Sequence, residues 1–142
     1  MIHFELVTLK GLKHRETVYE VLLPTPEGQI AVFKDHAPLV TLTSGGMILV
    51  RREANHPEDM LERYAVNAGG VIEIADNNVR VLVDEADASD DIDATEAQAA
   101  YEQAKKLVAE AGDEQSLEQA VANLDRQAVR LKLADLKRRN RR

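Results

Sequence analysis

The stretch that decides the fold runs from Pro26 to Ile48 and reads PEGQIAVFKDHAPLVTLTSGGMI. Short apolar runs alternate here with turn-forming residues, a pattern typical of tightly turned antiparallel strands. We expect Gly28 to adopt a positive φ, because glycine has no Cβ to clash. We expect Pro38 to stop strand pairing or to lie at a sheet edge, because proline has no amide donor. The stretch therefore predicts a β scaffold.

The rest of the first 86 residues continues in the same style. Asn55 to Asp59 predicts an exposed hairpin loop, and Asp76-Asn77-Asn78 predicts a tight hairpin whose asparagines adopt the left-handed conformation. Seven to ten short strands at this spacing indicate a β-sandwich over residues 1–86. The apolar runs predicted as its strands and core begin with Ile2, Phe4 and Leu6 and continue at residues 18–23, 47–50, 60–66, 71–75 and 79–83.

The composition changes at residues 84–91, where five acidic residues stand among small ones. We interpret this segment as a linker, with an acidic hinge at residues 87–92. Residues 93–142 then predict a helical hairpin. Asp93 is expected to cap the first helix, with Ile92 packing on Ala97, and Gly112 to end it. The first helix has a narrow face of alanines, and a Ser116–Gln119 capping box is expected to start the second helix, whose apolar stripes run from Leu117 to Leu136. The fold class is thus α+β in two parts.

Charge is distributed unevenly along the 142 residues. The net charge is −7, but the segment from Arg126 to the end has eight basic residues and one acidic residue, so it carries +7 and the preceding part −14. A basic end on an acidic body favours acidic protein over nucleic acid as a partner. A free-standing interaction module, whose basic tail binds acidic protein or nucleic acid, remains an alternative. No apolar run approaches the roughly 20 residues that span a bilayer, so no direct membrane insertion is expected.

Catalytic and metal-binding patterns are weak in this sequence. Cysteine is absent, which excludes thiol nucleophiles and thiolate zinc sites. The glycine pairs lack the Gly-Lys-Ser/Thr element of a phosphate loop, and the scattered histidines do not have metal-ligand spacing. Asp35 and His36 with Ser44 could form a small hydrolytic site, although the serine has no nucleophile-elbow context. We therefore expect no catalytic residues and no metal.

Several ordered motifs together resemble the epsilon subunit of the rotary F-type ATP synthase. They are EGQIAV (27–32), DHAPLVT (35–41), GGMI (45–48), NAGGVIEI (67–74) and NVRVLVDEA (78–86). The resemblance covers the chain from Phe4 to about Leu136. It implies a non-catalytic subunit of the central stalk, with the sandwich bound to the gamma subunit and to the c ring. It also implies C-terminal helices that extend towards the alpha and beta subunits and restrain ATP hydrolysis, and a peripheral location on the cytoplasmic face of a bacterial plasma membrane.

The resemblance also suggests which residues make these contacts. The turn at Glu27, Gly28 and Gln29 corresponds to the c-ring contact, with His36 expected nearby. The contact with the catalytic head is expected from the basic residues of the second helix, Arg126, Arg130, Lys132, Lys137, Arg138 and Arg139. We expect the hairpin to have two arrangements of similar free energy, because alanines bury little area and hold the first helix weakly.

Some members of this family bind ATP on the hairpin through an Ile-Asp-x-x-Arg-Ala motif. Ile92, Asp93 and Ala97 match that motif, but Glu96 stands where the arginine belongs. Arg126 and Arg130 are four residues apart, so they share a helix face and could share a phosphate. We expect no cofactor, with a regulatory ATP bound by Ile92, Asp93, Arg126 and Arg130 as the alternative.

Overall fold

The computed structural model describes the backbone of residues 1–140 and the side chains of residues 1–89 and 91–137. Ten strands come first, followed by two helices, α1 (Ala94–Glu110) and α2 (Glu114–Asn140). Short 3-10 helices occupy Glu58–Met60 and Ser89–Asp91. The strands are β1 (Ile2–Thr8), β2 (Gly11–Val18), β3 (Glu20–Thr25), β4 (Gly28–Val32), β5 (Leu39–Leu42), β6 (Gly46–Arg51), β7 (Glu62–Val66), β8 (Val71–Ala75), β9 (Asn78–Leu82) and β10 (Ala86–Ala88).

The strands form two five-stranded sheets. Sheet I has the order β2-β1-β9-β8-β5, and sheet II has the order β10-β7-β6-β3-β4. This confirms the predicted sandwich of about ten strands followed by two helices. One pair departs from the antiparallel prediction, because β1 and β9 are parallel. Each of them pairs antiparallel with its hairpin partner, β2 or β8, and the two hairpins meet side by side.

The core of the sandwich consists of alternate residues from the two facing sheets. In β1, for example, Ile2, Phe4 and Leu6 are fully buried while His3 is exposed. This period of two places one face of each strand in the core and leaves the other outside. The cluster includes most of the predicted core positions, among them Ile2, Phe4, Leu6, Val18, Val21, Leu23, Ile48, Val50, Tyr64, Val66, Ile72, Ile74, Val79, Val81 and Val83.

The connections gather at two opposite ends of the sandwich. At one end, which we call the β3–β4 end, the Ser44 amide donates to the Pro24 carbonyl at 3.1 Å, and the Thr43 amide donates to the Gly70 carbonyl at 2.8 Å. At the other end, the β8–β9 end, the Asp35 amide donates to Asn77 Oδ1 at 2.6 Å. Because the strands separate the two ends, loops at one end cannot contact loops at the other.

The turns differ from the sequence expectations in detail. Gly28 adopts φ +119°, as predicted. In the β8–β9 hairpin the left-handed residues are Asp76 (φ 51°) and Asn77 (φ 62°), whereas Asn78 is the first residue of β9. Two consecutive positive φ angles are typical of the type I′ turn, which matches the twist of its flanking strands. The expected left-handed conformation is confirmed for Asn77 and wrong for Asn78, since Asp76 is the other left-handed residue.

The hairpin packs on the outer face of sheet II. Ile92, Ala97, Leu133 and Ala134 form a buried cluster with Ala65 of β7, and Met47 of β6 packs at its edge. The predicted alanine face of α1 is confirmed, because Ala97 and Ala104 are fully buried. The stripe predicted along α2 is buried only towards its C-terminal half. Leu117 and Val121, near the start of the helix, are 43% and 40% exposed.

The helix starts explain where the hairpin begins and turns. Asp93 caps α1 as predicted, since its Oδ1 accepts the amide of Glu96 at 2.9 Å. The predicted cap of the second helix at Ser116 is wrong. Asp113 Oδ1 instead accepts the Ser116 amide at 2.7 Å, and α2 starts at Glu114. Asp113 stands three residues before Ser116, the same spacing as Asp93 before Glu96, so the helix starts earlier than expected.

The acidic segment between sandwich and hairpin is more ordered than a linker. Residues 86–88 form β10, which pairs antiparallel with β7, and residues 89–91 form a 3-10 helix. Ala86 is buried in the core of the sandwich, contrary to the expectation of a linker, whereas the burial of Ile92 agrees with its predicted packing on Ala97. The reason is that β10 is the edge strand of sheet II, so Ala86 packs into the core while Asp87 pairs with Arg130 of α2.

Candidate functional site

Two arginines of α2 lie at the centre of a highly charged contact between the hairpin and the sandwich. Arg126 forms an ion pair with Glu85, in the connection from β9 to β10. Arg130, whose side chain is 12% exposed, has Nε 3.1 Å from Asp87 Oδ2 of β10. The same guanidinium donates to both oxygens of Glu96 on α1, at 2.9 and 3.3 Å. The arginines thus connect α2 with the sandwich and with α1.

The electrostatics of the two arginines differ. The hydrogen bond that Arg130 donates to Glu96 raises the pKa of Arg130, against the opposing effect of burial. Burial, together with repulsion from Arg130, lowers the pKa of Arg126. Both remain cations at neutral pH, because arginine does not deprotonate in proteins. Each cation therefore depends on its carboxylate partners to offset the loss of water around it.

The residues expected to bind ATP are brought together, but in other roles. Asp93 uses its carboxylate to cap α1, and Ile92 is buried against Ala97 and Leu133. Glu96, which stands where the motif has an arginine, forms an ion pair with Arg130. The positive charge that a triphosphate would need is therefore already paired with acidic side chains of the same chain.

The other basic residues of α2 are placed differently. Lys132 is exposed and lines a groove of about 440 Å³ between α2 and sheet II, together with Gln29 and Leu136. Lys137 is half-buried and has an interaction partner. The side chains of Arg138 and Arg139 lie outside the described part of the structure.

The four residues predicted for the c-ring contact do not lie together. Glu27, Gly28 and Gln29 are exposed at the β3–β4 end. His36 follows the other end of β4 and lies beside Asn77 at the β8–β9 end. Since a strand advances about 3.3 Å per residue, the five residues of β4 separate the two positions by more than 10 Å. The expectation that His36 lies near the turn was therefore wrong.

The alternative hydrolytic site is not assembled. His36 Nδ1 donates to the Ala37 carbonyl at 2.6 Å, and the Asp35 carboxylate accepts from Asn77 Nδ2. Ser44 lies at the β3–β4 end, so the length of strand β5 separates it from His36. Without contact between nucleophile and base, this trio lacks the geometry of a catalytic triad.

The structure reveals an apolar row that the sequence analysis did not identify. It crosses the outer face of sheet I, because consecutive partners in the strand registers are all apolar. The row contains, in order across the sheet, Leu12, Val7, Leu82, Val71 and Leu42. Leu12 and Leu42 are about half exposed. The neighbouring register is charged instead, with Glu5 bridging Arg15 and Arg80. Each residue looked like ordinary strand sequence, and only the pairing of five strands aligns them.

A second group missed by sequence reasoning is His14 with Glu16 and Glu62, whose potential ligand atoms lie within 4.8 Å of one another. Arg52 pairs with both carboxylates, and the hydrogen bond that it donates to Glu16 raises the Arg52 pKa. Tyr64 Oη lies 2.8 Å from His14 Nδ1, and burial raises the Tyr64 pKa. The arginine thus offsets one of the two carboxylate charges of this group. His14 and Glu16 lie on β2 and Glu62 lies on β7, so the sequence spacing of these three residues did not indicate that they meet.

Among the helices of residues 1–140, none combines the length and apolar character needed to cross a membrane.

Comparisons with known proteins agree along the chain. A family model described as ATP synthase, Delta/Epsilon chain, beta-sandwich domain matches residues 1–89. The ATP synthase epsilon chain of Herpetosiphon aurantiacus is 34% identical, covering 96% of each chain. That of Sinorhizobium medicae is 36% identical, covering 86% of this chain and 89% of its own.

Two solved structures have the same fold. A chain in the cryo-EM structure of Euglena gracilis mitochondrial ATP synthase, OSCP/F1/c-ring, has a TM-score of 0.74 at 22% identity, over 90% of this chain and 78% of its own. A chain in the central stalk/c-ring structure of the Tetrahymena thermophila mitochondrial enzyme has a TM-score of 0.60 at 15% identity, over 98% and 96%. The family match to the sandwich and the relatives that span sandwich and hairpin together show that this chain belongs to the epsilon chains of ATP synthases.

Proposed function

We propose that this chain is a non-catalytic subunit of the central stalk of a proton-translocating ATP synthase, where it couples rotation of the c ring to the catalytic head. The observation that carries the proposal is the apolar row on sheet I, whose three leucines are solvent-exposed and whose two valines are half-buried in the isolated chain. Contiguous exposed apolar surface on a folded domain marks an interaction site such as a protein interface. Similarity to a chain of a central stalk/c-ring structure supports the same assignment.

The row fits a rod-shaped partner such as the gamma subunit. It extends across all five strands of sheet I, so at about 4.8 Å between strands it is on the order of 20 Å long. The charged register beside it, Arg15–Glu5–Arg80, would form the polar rim that protein interfaces have. The turn at Glu27, Gly28 and Gln29 is then the proposed contact with the c ring, and His36 at the opposite end would serve another contact.

The hairpin is proposed to restrain ATP hydrolysis through the alpha and beta subunits. In the described arrangement Arg126 and Arg130 face the chain's own acids. They would become available to acidic segments of the catalytic head when α2 leaves the sandwich. No nucleotide is required in this proposal, since the same acids neutralise the arginines. The complex would place the chain peripherally on the cytoplasmic face of a bacterial plasma membrane.

Binding to a purified gamma subunit tests whether the apolar row is the surface that contacts this subunit. We expect Leu42→Glu and Leu82→Glu to weaken binding by about tenfold or more, because a charge would be buried in the apolar centre of the interface. Leu117→Glu is the matched control, since Leu117 is similarly exposed but lies on α2. Equal binding by all three variants would reject the assignment of the row.

Suppression of ATP hydrolysis tests the hairpin. The full chain, added to the catalytic complex lacking it, should reduce hydrolysis, and a chain ending at Asp91 should bind without doing so. The shorter chain contains the whole of residues 1–89 that the sandwich-domain family covers. Inhibition by the shorter chain equal to that of the full chain would remove the hairpin's proposed role.

A further inference from the structure

We propose that Arg130 couples two movements of the hairpin, its release from the sandwich and the separation of α1 from α2. Asp87 belongs to β10, which is a strand of the sandwich, whereas Glu96 belongs to the first turn of α1. Both carboxylates contact the guanidinium of Arg130, which belongs to α2. One side chain therefore connects three bodies whose relative positions define the compact arrangement.

The burial of Arg130 makes this shared contact important. Its side chain is 12% exposed, compared with 31% for Arg126. A cation with so little access to water requires opposite charge nearby. If Asp87 moves away with the sandwich, Glu96 must neutralise Arg130 alone; if α1 swings away, Asp87 must do so. Either movement also admits water to Arg130, so the ion pair that remains is screened and opposes the other movement less.

Arg126 provides an internal comparison. It lies one turn earlier on the same helix and pairs with Glu85 on the sandwich side. This pair bridges α2 and the sandwich without involving α1. Loss of the Arg126–Glu85 contact should therefore loosen docking and leave the α1–α2 contact intact, whereas changes at Arg130 should affect both.

Thiol labelling can follow the two movements separately, because the natural chain has no cysteine. Ala65, on the outer face of β7, is 4% exposed beneath the hairpin, so Ala65→Cys would report release from the sandwich. Ala104 is fully buried on α1 but lies outside the cluster that faces the sandwich. Ala104→Cys would report separation of the helices. Labelling rates of the full-length chain, divided by the rate of an exposed thiol, give the two opening equilibria.

The proposal is tested by cross effects, in which a change at one contact of Arg130 alters labelling at the site that reports the other contact. We expect Asp87→Asn, a change in the sandwich, to increase labelling of the thiol at position 104 by about threefold or more, and Glu96→Gln, a change in the hairpin, to do the same at position 65. Glu85→Gln should increase labelling at position 65 and leave position 104 unchanged. In an Arg130→Gln background, both cross effects should disappear.

Two results would overturn the proposal. One is that Asp87→Asn affects only position 65 while Glu96→Gln affects only position 104, which would mean independent ion pairs. The other is that Glu85→Gln changes position 104 as much as Asp87→Asn does, which would mean general loosening. Thermal unfolding of each variant, expected to match the parent for the sandwich transition, excludes misfolding as the source of any increase in labelling.

Discussion

Replacement of Leu133 by alanine should release the hairpin while the sandwich stays folded. Leu133 is the one large side chain of α2 that is fully buried against sheet II, among the residues the structure describes. Its neighbours in the cluster are mostly alanines, namely Ala65, Ala97 and Ala134. Small, rigidly placed neighbours have little freedom to move into a cavity, so the space left by Leu133→Ala would remain largely unfilled.

The expected cost follows from these contacts. Truncation of a fully buried leucine costs about 2–5 kcal/mol, and poor filling of the cavity excludes the low end of that range, so we expect a cost of at least about 3 kcal/mol. Since 1.4 kcal/mol corresponds to a factor of ten, the equilibrium for hairpin release should increase by roughly 100-fold or more. The core of the sandwich lies on the opposite face of sheet II, so its stability should change little.

Hydrogen exchange of the α2 amides measures the release, and thermal unfolding of the sandwich serves as its internal reference. Leu117→Ala is the matched control, because Leu117 lies on the same helix and is 43% exposed. The control should leave exchange within a few-fold of the parent chain. Equal acceleration by both variants would refute the view that Leu133 anchors the hairpin, and so would a drop in sandwich stability equal to the loss of docking.

Three further predictions concern single positions. Gly70→Ala should lower the unfolding temperature of the sandwich, because an added Cβ would lie 2.5 Å from a backbone carbonyl oxygen, whereas Gly112→Ala, with nothing within 4 Å, should not. Asp113→Ala should speed amide exchange in the first turn of α2. The helix start should also loosen in acid, because the backbone hydrogen bond lowers the Asp113 pKa, so its stabilising effect is lost as pH falls through that value. Tyr64→Phe should destabilise the chain by about 1–2 kcal/mol in chemical denaturation, because the contact with His14 is lost. Burial raises the Tyr64 pKa, so stability in the parent should decline as pH rises above the ordinary tyrosine pKa of about 10.

Most of the sandwich could be predicted because local signals and tertiary structure agreed. Alternation in β1 and the apolar runs of β6 to β9 identified their strands, and Gly28 adopts the conformation that its turn requires. Strand β2 gave no such signal. Its sequence, GLKHRETV, is mostly polar because the strand lies at the edge of sheet I, and only Val18 among its residues is fully buried.

The candidate sites were less predictable for a different reason. Arg126 and Arg130 could be selected from the sequence individually, as could Glu96, which stands where the ATP-binding motif has an arginine. The pairing of Glu96 with Arg130 could not be foreseen, because the two are 34 residues apart and meet only when the helices fold back. The apolar row on sheet I depends likewise on the registers of strands that are distant in sequence. Contacts of this kind follow from topology, which residue patterns leave open.

The two faces of sheet II give the physical reason why we expect the hairpin to detach more readily than the sandwich unfolds. The inner face contributes large side chains such as Leu23, Ile48 and Val50 to a core shared with sheet I. The outer face offers mainly Ala65 and the edge of Met47 to the hairpin, so apolar burial alone would hold α2 weakly. Ion pairs between partly buried groups then contribute a larger share of the docking free energy, and that share decreases as salt screens them. Docking of the hairpin should therefore weaken with ionic strength more steeply than the stability of the sandwich. A hairpin whose release was insensitive to salt would be held by the Leu133 cluster alone.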